Sequence, residues 1–257
     1  MHSTPFIQDI ESNRIRVSLP TCTTCRKTRM TSTPASTPPS TPSSSHKTPP
    51  AQPIKLYRSV ISGHSHRVEL FLSLLGLPFE CVDIDLVAKG HKTPAFLAMN
   101  AFGQVPVIQD GDITLADSNA ILVYLAGRYA DDADAWLPRE PLAAAGVQRW
   151  LSVAAGQLAF GPSAARVAEL FKRPANTEAI ERAHALFAVM AQHLGRSAFL
   201  AGNAPTLADI ANYSYVARAP EGRVSLEPYP NLRAWLARIE ALPGFVSMVK
   251  TPIGLAA

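Results

Sequence analysis

Only three of the 257 residues are cysteine, 7% are aromatic and 17% are charged, and no apolar run reaches the ~18 residues that a membrane-spanning helix needs. So few thiols exclude a disulfide framework and fit a reducing compartment. The missing apolar run excludes a helical integral membrane protein. Asp9, Glu11, Arg14 and Arg16 interrupt the first thirty residues, the wrong layout for a secretory leader, and a cytoplasmic location is expected. A surplus of one charge is also missing where it would matter. The formal net charge is +4, yet residues 54–257 hold eighteen Lys/Arg and eighteen Asp/Glu, while residues 1–53 hold six and two. A balanced body offers no electrostatic footprint for nucleic acid.

Familiar catalytic signatures are absent too: no GxGxxG, no phosphate-binding Walker loop, no HExxH and no GxSxG. The pair Cys22 and Cys25 is a lone CxxC without two further patterned ligands. His64 and His66 have no third ligand in register, so no metal site is expected.

Among the residues present, 31–50 contain eleven Ser/Thr and six Pro. Such a stretch buries too little to offset its ordering entropy, and residues 1–53 are expected to be a disordered extension. From Ile54 the pattern changes. Ile54, Leu56 and Val60 fall in an alternating, strand-like run, after which Val68, Phe71, Leu72 and Leu75 mark one face of a helix that stops at Gly76. Phe79–Asp85 reads as a second strand, and Thr93–Met99 as a short helix with Pro94 in its first turn. Gln104–Gln109 and Asp112–Ala116 flank Asp110-Gly111, a hairpin signal. Ser118 opens another helix. The order β-α-β-α-β-β-α is that of a thioredoxin-like layer. After an Asp-rich connector at 131–134 only helical patterning follows, over 141–160 and onward, 177–194, 206–219 and 231–242, with Thr206 and Asp209 at capping-box spacing. The expected fold class is an α/β thioredoxin-like N-terminal domain (54–132) plus an all-α C-terminal domain (140–257).

In thioredoxin-like chemistry a CxxC sits between the first strand and the first helix, where the helix end lowers a thiol pKa. Here that place reads Ser62-Gly63-His64-Ser65. A helix end with a hydroxyl instead of a thiol suits the activation of a thiol carried by a ligand.

Four motifs occur in one frame: Ser62 with Arg67-Val68, His91-Lys92, Phe102-Gly103-Gln104-Val105-Pro106, and Asp117-Ser118-Asn119-Ala120-Ile121. From Ile54 to the end the sequence resembles a glutathione transferase of the phi-like, serine-type class. That resemblance implies glutathione as co-substrate with no further cofactor, a hydrophobic electrophile, a role in detoxification and a homodimer. It implies that Ser62 is catalytic and stabilises the thiolate, with Ser65 and His64 as rivals for the role. It further implies that His91 and Lys92 reach the glycine carboxylate, and that Val105, before a cis Pro106, pairs with the cysteinyl backbone. Gln104, Asp117 and Ser118 would hold the γ-glutamyl end, and Phe102 would be an aromatic key at the dimer interface. Cys81 reads as a strand residue and not a nucleophile. Trp150, Leu151, Leu158 and Phe160 fall where that fold places the electrophile, and an apolar stripe of this kind is core on one side by default. Two alternatives remain open: a glutathione-dependent peroxidase or isomerase on the same fold, and a non-catalytic interaction module.

Overall fold

The computed structural model describes residues 48–256. Most of the Ser/Thr/Pro-rich extension, with Cys22 and Cys25, lies outside the described residues.

Strand β1 (Ile54–Arg58) buries Ile54 and Leu56 completely. Helix α1 (Gly63–Leu74) turns Val68, Phe71 and Leu72 into the core, as their spacing predicts. It ends before Gly76, whose φ of +63° is the left-handed conformation that closes helices. Strand β2 (Phe79–Asp83) runs parallel to β1; helix α2 (Pro94–Met99) follows, capped by the Thr93 side chain. Strands β3 (Val107–Asp110) and β4 (Ile113–Ala116) form an antiparallel hairpin, and helix α3 (Ser118–Tyr129) completes the layer. The sheet order is β2-β1-β3-β4.

The hairpin turn falls one residue later than the sequence suggests. Asp110 pairs with Ile113, leaving Gly111 and Asp112 as the loop. The cause lies in the Asp110 carboxylate, which accepts hydrogen bonds from the hydroxyls of Tyr124 (2.7 Å) and Tyr129 (2.5 Å) and so stays in the strand.

The helical part contains one element the sequence reading lacks, α4 (Ala133–Trp136), where Asp132 caps the amides of Asp134 and Ala135 inside the supposed connector. Helix α5 (Pro141–Ala155) leads through a π-helical turn (Ala159–Ser163) into α6 (Ala164–Leu170). Pro162 has no N–H to continue the ladder, and the wider turn accommodates it. Helices α7 (Thr177–Leu194), α8 (Leu207–Ala217) and α9 (Pro230–Glu240) follow.

Helix α8 is the hub: every residue from Leu207 to Val216 is buried. It packs on α1, and the junction is polar at one point. His66 accepts from the Ser214 hydroxyl at Nδ1 (2.9 Å) and donates from Nε2 to the Val246 carbonyl (3.0 Å), a carbonyl being only an acceptor. Burial, against the Val246 bond that favours the cation, together with nearby Arg218, Arg58 and Arg67, pushes this imidazole down to about 4. The unfolded chain then binds the proton more readily. Stability from His66 is fully present above its unfolded value near 6.5 and is lost as pH falls from there toward 4, by about 3 kcal/mol. Thermal melts between pH 7 and 4.5 test this: the midpoint falls on acidification, and His66→Gln flattens that part of the profile.

Candidate functional site

Ser62 is the N-cap of α1. Its Oγ accepts from the Ser65 amide at 3.2 Å, which leaves the hydroxyl hydrogen free to donate elsewhere. Ser65, the rival hydroxyl, lies inside the helix, fully buried, with its Oγ taken by the Ser59 amide at 3.2 Å.

Downstream of the helix a cavity of about 700 Å³ opens, and it gathers His91, Lys92, Phe102 and Gln104 with Val105, Pro106, Asp117 and Ser118. Every binding residue expected from the motifs lines this one space. His64 lines it as well, whereas Ser62 is not among its lining residues. Burial and the Arg67 guanidinium push the His64 imidazole down to about 3, so it is neutral at physiological pH.

The loop before β3 is built by local constraint. Gly103 has φ +57°, and a Cβ there would lie 2.7 Å from Lys92 Nζ and 2.9 Å from the His91 carbonyl. Asn100, which the motif reading missed, donates from Nδ2 to the Gln104 carbonyl (2.8 Å) and accepts from the Phe102 amide (3.1 Å). The Val105–Pro106 bond is cis. No hydrogen bond among the described residues takes up the Val105 N–H or C=O. Lys92 Nζ donates to the Phe102 carbonyl at 3.2 Å, and His91 Nδ1 is buried without a partner.

At α3 the cap is Asp117 rather than Ser118. Asp117 Oδ1 accepts from the Ala120 amide at 2.9 Å, and its φ of +72° is rare for a residue with a side chain. Ser118, buried, accepts from Arg67 Nη1 at 3.2 Å and approaches His64 Nδ1 at 3.5 Å. Arg67, present in the first motif but given no binding role there, joins Asn100 as the second unassigned residue. It is fully buried, donates also to Asn119 Oδ1 at 2.8 Å, and keeps Nε and Nη2 unpartnered. Burial lowers its pKa to about 10, against the opposing pull of Tyr215 and Asp117, so it remains a cation. A buried cation beneath Ser118 makes this end of the cavity attractive to a carboxylate.

Of the two readings of the apolar stripe, the structure takes the core one. Trp150, Leu151 and Leu158 are core residues, at most 4% exposed, and only Phe160 stands open at 62%. The helical stripe they form faces inward because α8 packs on that side of α5, where Asn212 Nδ2 donates to the Trp150 carbonyl at 3.0 Å. Cys81 is half-buried in β2, and burial pushes its thiol up, as befits a strand residue.

A four-stranded thioredoxin-like layer with a cis-proline loop and two helix ends converging on one cleft, followed by an all-helical unit, defines a protein that handles a thiol peptide. The profile described as "Glutathione S-transferase, N-terminal domain" matches residues 52–127, and that for the C-terminal domain matches 153–243. Glutathione S-transferase 3 of Zea mays is 38% identical over 213 residues, 77% of this chain and 93% of its own. Glutathione S-transferase theta-2 of Homo sapiens is 32% identical, over 74% of this chain and 82% of its own. A crystal structure of a glutathione S-transferase from Pseudomonas fluorescens superposes with a TM-score of 0.72 at 32% identity, covering 77% of this chain and 100% of that one. The chain belongs to the glutathione S-transferase family, and it is a transferase of that fold.

Proposed function

We propose that the protein conjugates glutathione to hydrophobic electrophiles, with Ser62 donating its hydroxyl hydrogen bond to the glutathione sulfur. The observation that carries this reading is the convergence of the seven residues expected to bind glutathione, from His91 to Ser118, on one cavity beside the Ser62 helix end. Arg67 and Ser118 would receive the γ-glutamyl carboxylate and Asp117 its amine, with the Gln104 loop alongside. Val105 would pair with the cysteinyl backbone as an added strand does, and His91 and Lys92 would meet the glycine carboxylate. The thiolate then attacks an electrophilic carbon; the new C–S bond forms as the leaving group departs with the electron pair, and the thiol proton passes to solvent. No cofactor is needed. Detoxification in the cytoplasm and a division into domains at 54–132 and 140–257 belong to the same proposal.

Retention on immobilised glutathione followed by conjugation of an aromatic halide tests it. Retention without conjugation points to an interaction module, and turnover of a hydroperoxide in place of the halide points to a peroxidase. One observation favours a second reading of the activating group: His64 lines the cavity and Ser62 does not.

The partner we propose is a second copy of this chain. Phe102 is 81% exposed at the cavity's edge, although a phenyl ring in a short loop has every reason to be covered. On the helical part, α5 and α7 leave a groove of about 690 Å³ between Trp150, Val153, Leu186 and Val189, with Arg149 and Arg182 at its rim. An aromatic key in that groove, entered twice by symmetry, would anchor a two-fold interface. Sedimentation tests it. The wild type is expected to be a dimer and Phe102→Ser a weaker one with reduced glutathione affinity, because Phe102 shares its loop with Gln104 and Val105. A monomeric wild type overturns this.

A further inference from the structure

Arg166 on α6 is a cation with a side chain only 1% exposed, and its partners come from two distant parts of the chain. Its Nε donates to Glu221 Oε2 at 2.7 Å, and its Nη1 donates to the Ile61 carbonyl oxygen at 2.6 Å. Ile61 immediately precedes Ser62. Since a peptide group is planar, holding the Ile61 oxygen also holds the Ser62 N–H and Cα. That N–H is itself fixed, donating to the Ser59 carbonyl at 2.9 Å. The peptide plane that carries Ser62 is gripped from both sides.

Glu221, 2% exposed, is the other half of the pair and sits in a short 3-10 turn (Ala219–Gly222). Its Oε1 accepts from the Thr251 amide at 3.1 Å and its Oε2 from the Thr251 hydroxyl. Two glycines make this packing possible. A Cβ on Gly222 would lie 2.6 Å from the Arg166 nitrogen, and one on Gly254 would lie 2.5 Å from the Glu221 carbonyl oxygen. The C-terminal segment is therefore fastened over the carboxylate, and Arg218 Nη2 adds a bond to the Met248 carbonyl. A buried ion pair adds little net stability, because desolvation offsets its attraction. What this one supplies is a fixed geometry at Ile61.

We propose that Arg166 and Glu221 are positioning residues that set the Ser62 hydroxyl against the glutathione sulfur, and that the C-terminal segment completes the hold through Thr251. The proposal rests on the reading of Ser62 as the thiolate's partner. The double variant Arg166→Met/Glu221→Leu removes both charges of the pair together, and the nearby Arg218, 3.7 Å from Glu221, keeps its bond to the Met248 carbonyl. The Ile61 carbonyl then loses its donor. Measured on the full chain, kcat is expected to fall about 10- to 100-fold, as a displaced catalytic group does, while KM for glutathione changes little. The ultraviolet titration of bound glutathione thiolate should move up by about one pH unit. Thr251→Val should move both readouts the same way, by less. A folded double variant with wild-type kcat and thiol titration overturns the proposal. If the double variant does not fold, Arg166→Lys decides on the same readouts, since it keeps the charge beside Glu221 but lacks a second nitrogen for Ile61. Ser62→Ala separates the two ideas. Full activity in Ser62→Ala removes the reading of Ser62 itself, whereas loss there with a wild-type-like double variant removes only the clamp.

Discussion

Ser62→Ala is expected to lower kcat roughly 10- to 200-fold while glutathione binding weakens far less, if the lost hydrogen bond is worth ~1.5–3 kcal/mol to the thiolate. The geometry separates this effect from the structural one. Ser62 Oγ accepts from the Ser65 amide, so the substitution also removes a helix cap. That loss costs about 1 kcal/mol of stability and no chemistry. Ser62→Gly keeps the helix end at a cost of a few tenths of a kcal/mol and should share the kcat loss, which assigns the loss to the hydroxyl. Ser65→Ala should do the opposite, because its Oγ serves the buried Ser59 amide. It should lose stability and keep its turnover. Full activity in Ser62→Ala with loss in His64→Ala would hand the role to the imidazole. In that event it would act as a neutral hydrogen-bonding group, since its pKa near 3 keeps it uncharged at pH 7.

The sheet layer was legible because its signals are local. Alternation at Ile54 and Leu56, helical spacing from Val68 to Leu72 and a glycine in the hairpin each arise within a few residues, and each reappears in the structure with a boundary shift of one or two positions. The residues proposed to bind glutathione could be picked out for another reason. They sit at element ends, where residue type is tied to backbone geometry: a hydroxyl before α1, a proline before β3, an acid before α3. What escaped was charge buried by distant partners. Arg67 meets Ser118 and Asn119 fifty-one and fifty-two positions away, and Arg166 meets Ile61 across 105. Nothing near an arginine on a helix tells a buried guanidinium from a solvated one. The apolar stripe was open in the converse way: Trp150, Leu151 and Leu158 have the spacing of a binding face and of a core face alike, and α8 takes them as core.

Asp209→Ala should strongly destabilise the helical part, and its cause can be read bond by bond. Asp209 Oδ1 accepts from the Leu200 amide at 2.9 Å and from Trp235 Nε1 at 2.8 Å. Its Oδ2 accepts from the Thr206 amide at 2.9 Å and from the Thr206 hydroxyl at 3.2 Å. The capping-box spacing foresaw only the Thr206 pair; the shorter acid also reaches the loop at Leu200 and the indole on α9. Alanine leaves three buried N–H groups without acceptors, and a broken buried polar network of this kind costs about 3–5 kcal/mol. For a folded unit of roughly 200 residues each kcal/mol moves the melting midpoint by about 2–4 °C, so a fall of about 10 °C is expected. The effect should travel to the catalytic half as well, because α8 packs on α1, where a Cβ on Gly63 would already lie 2.7 Å from the Tyr215 ring. Asp209→Asn separates the terms. Its carbonyl oxygen can still accept from Trp235 and Leu200, while its amide cannot accept from Thr206, so it should recover more than half of the lost midpoint. A melting curve for Asp209→Ala within about 2 °C of wild type would mean that the four bonds at this helix end are not what holds α8 in place.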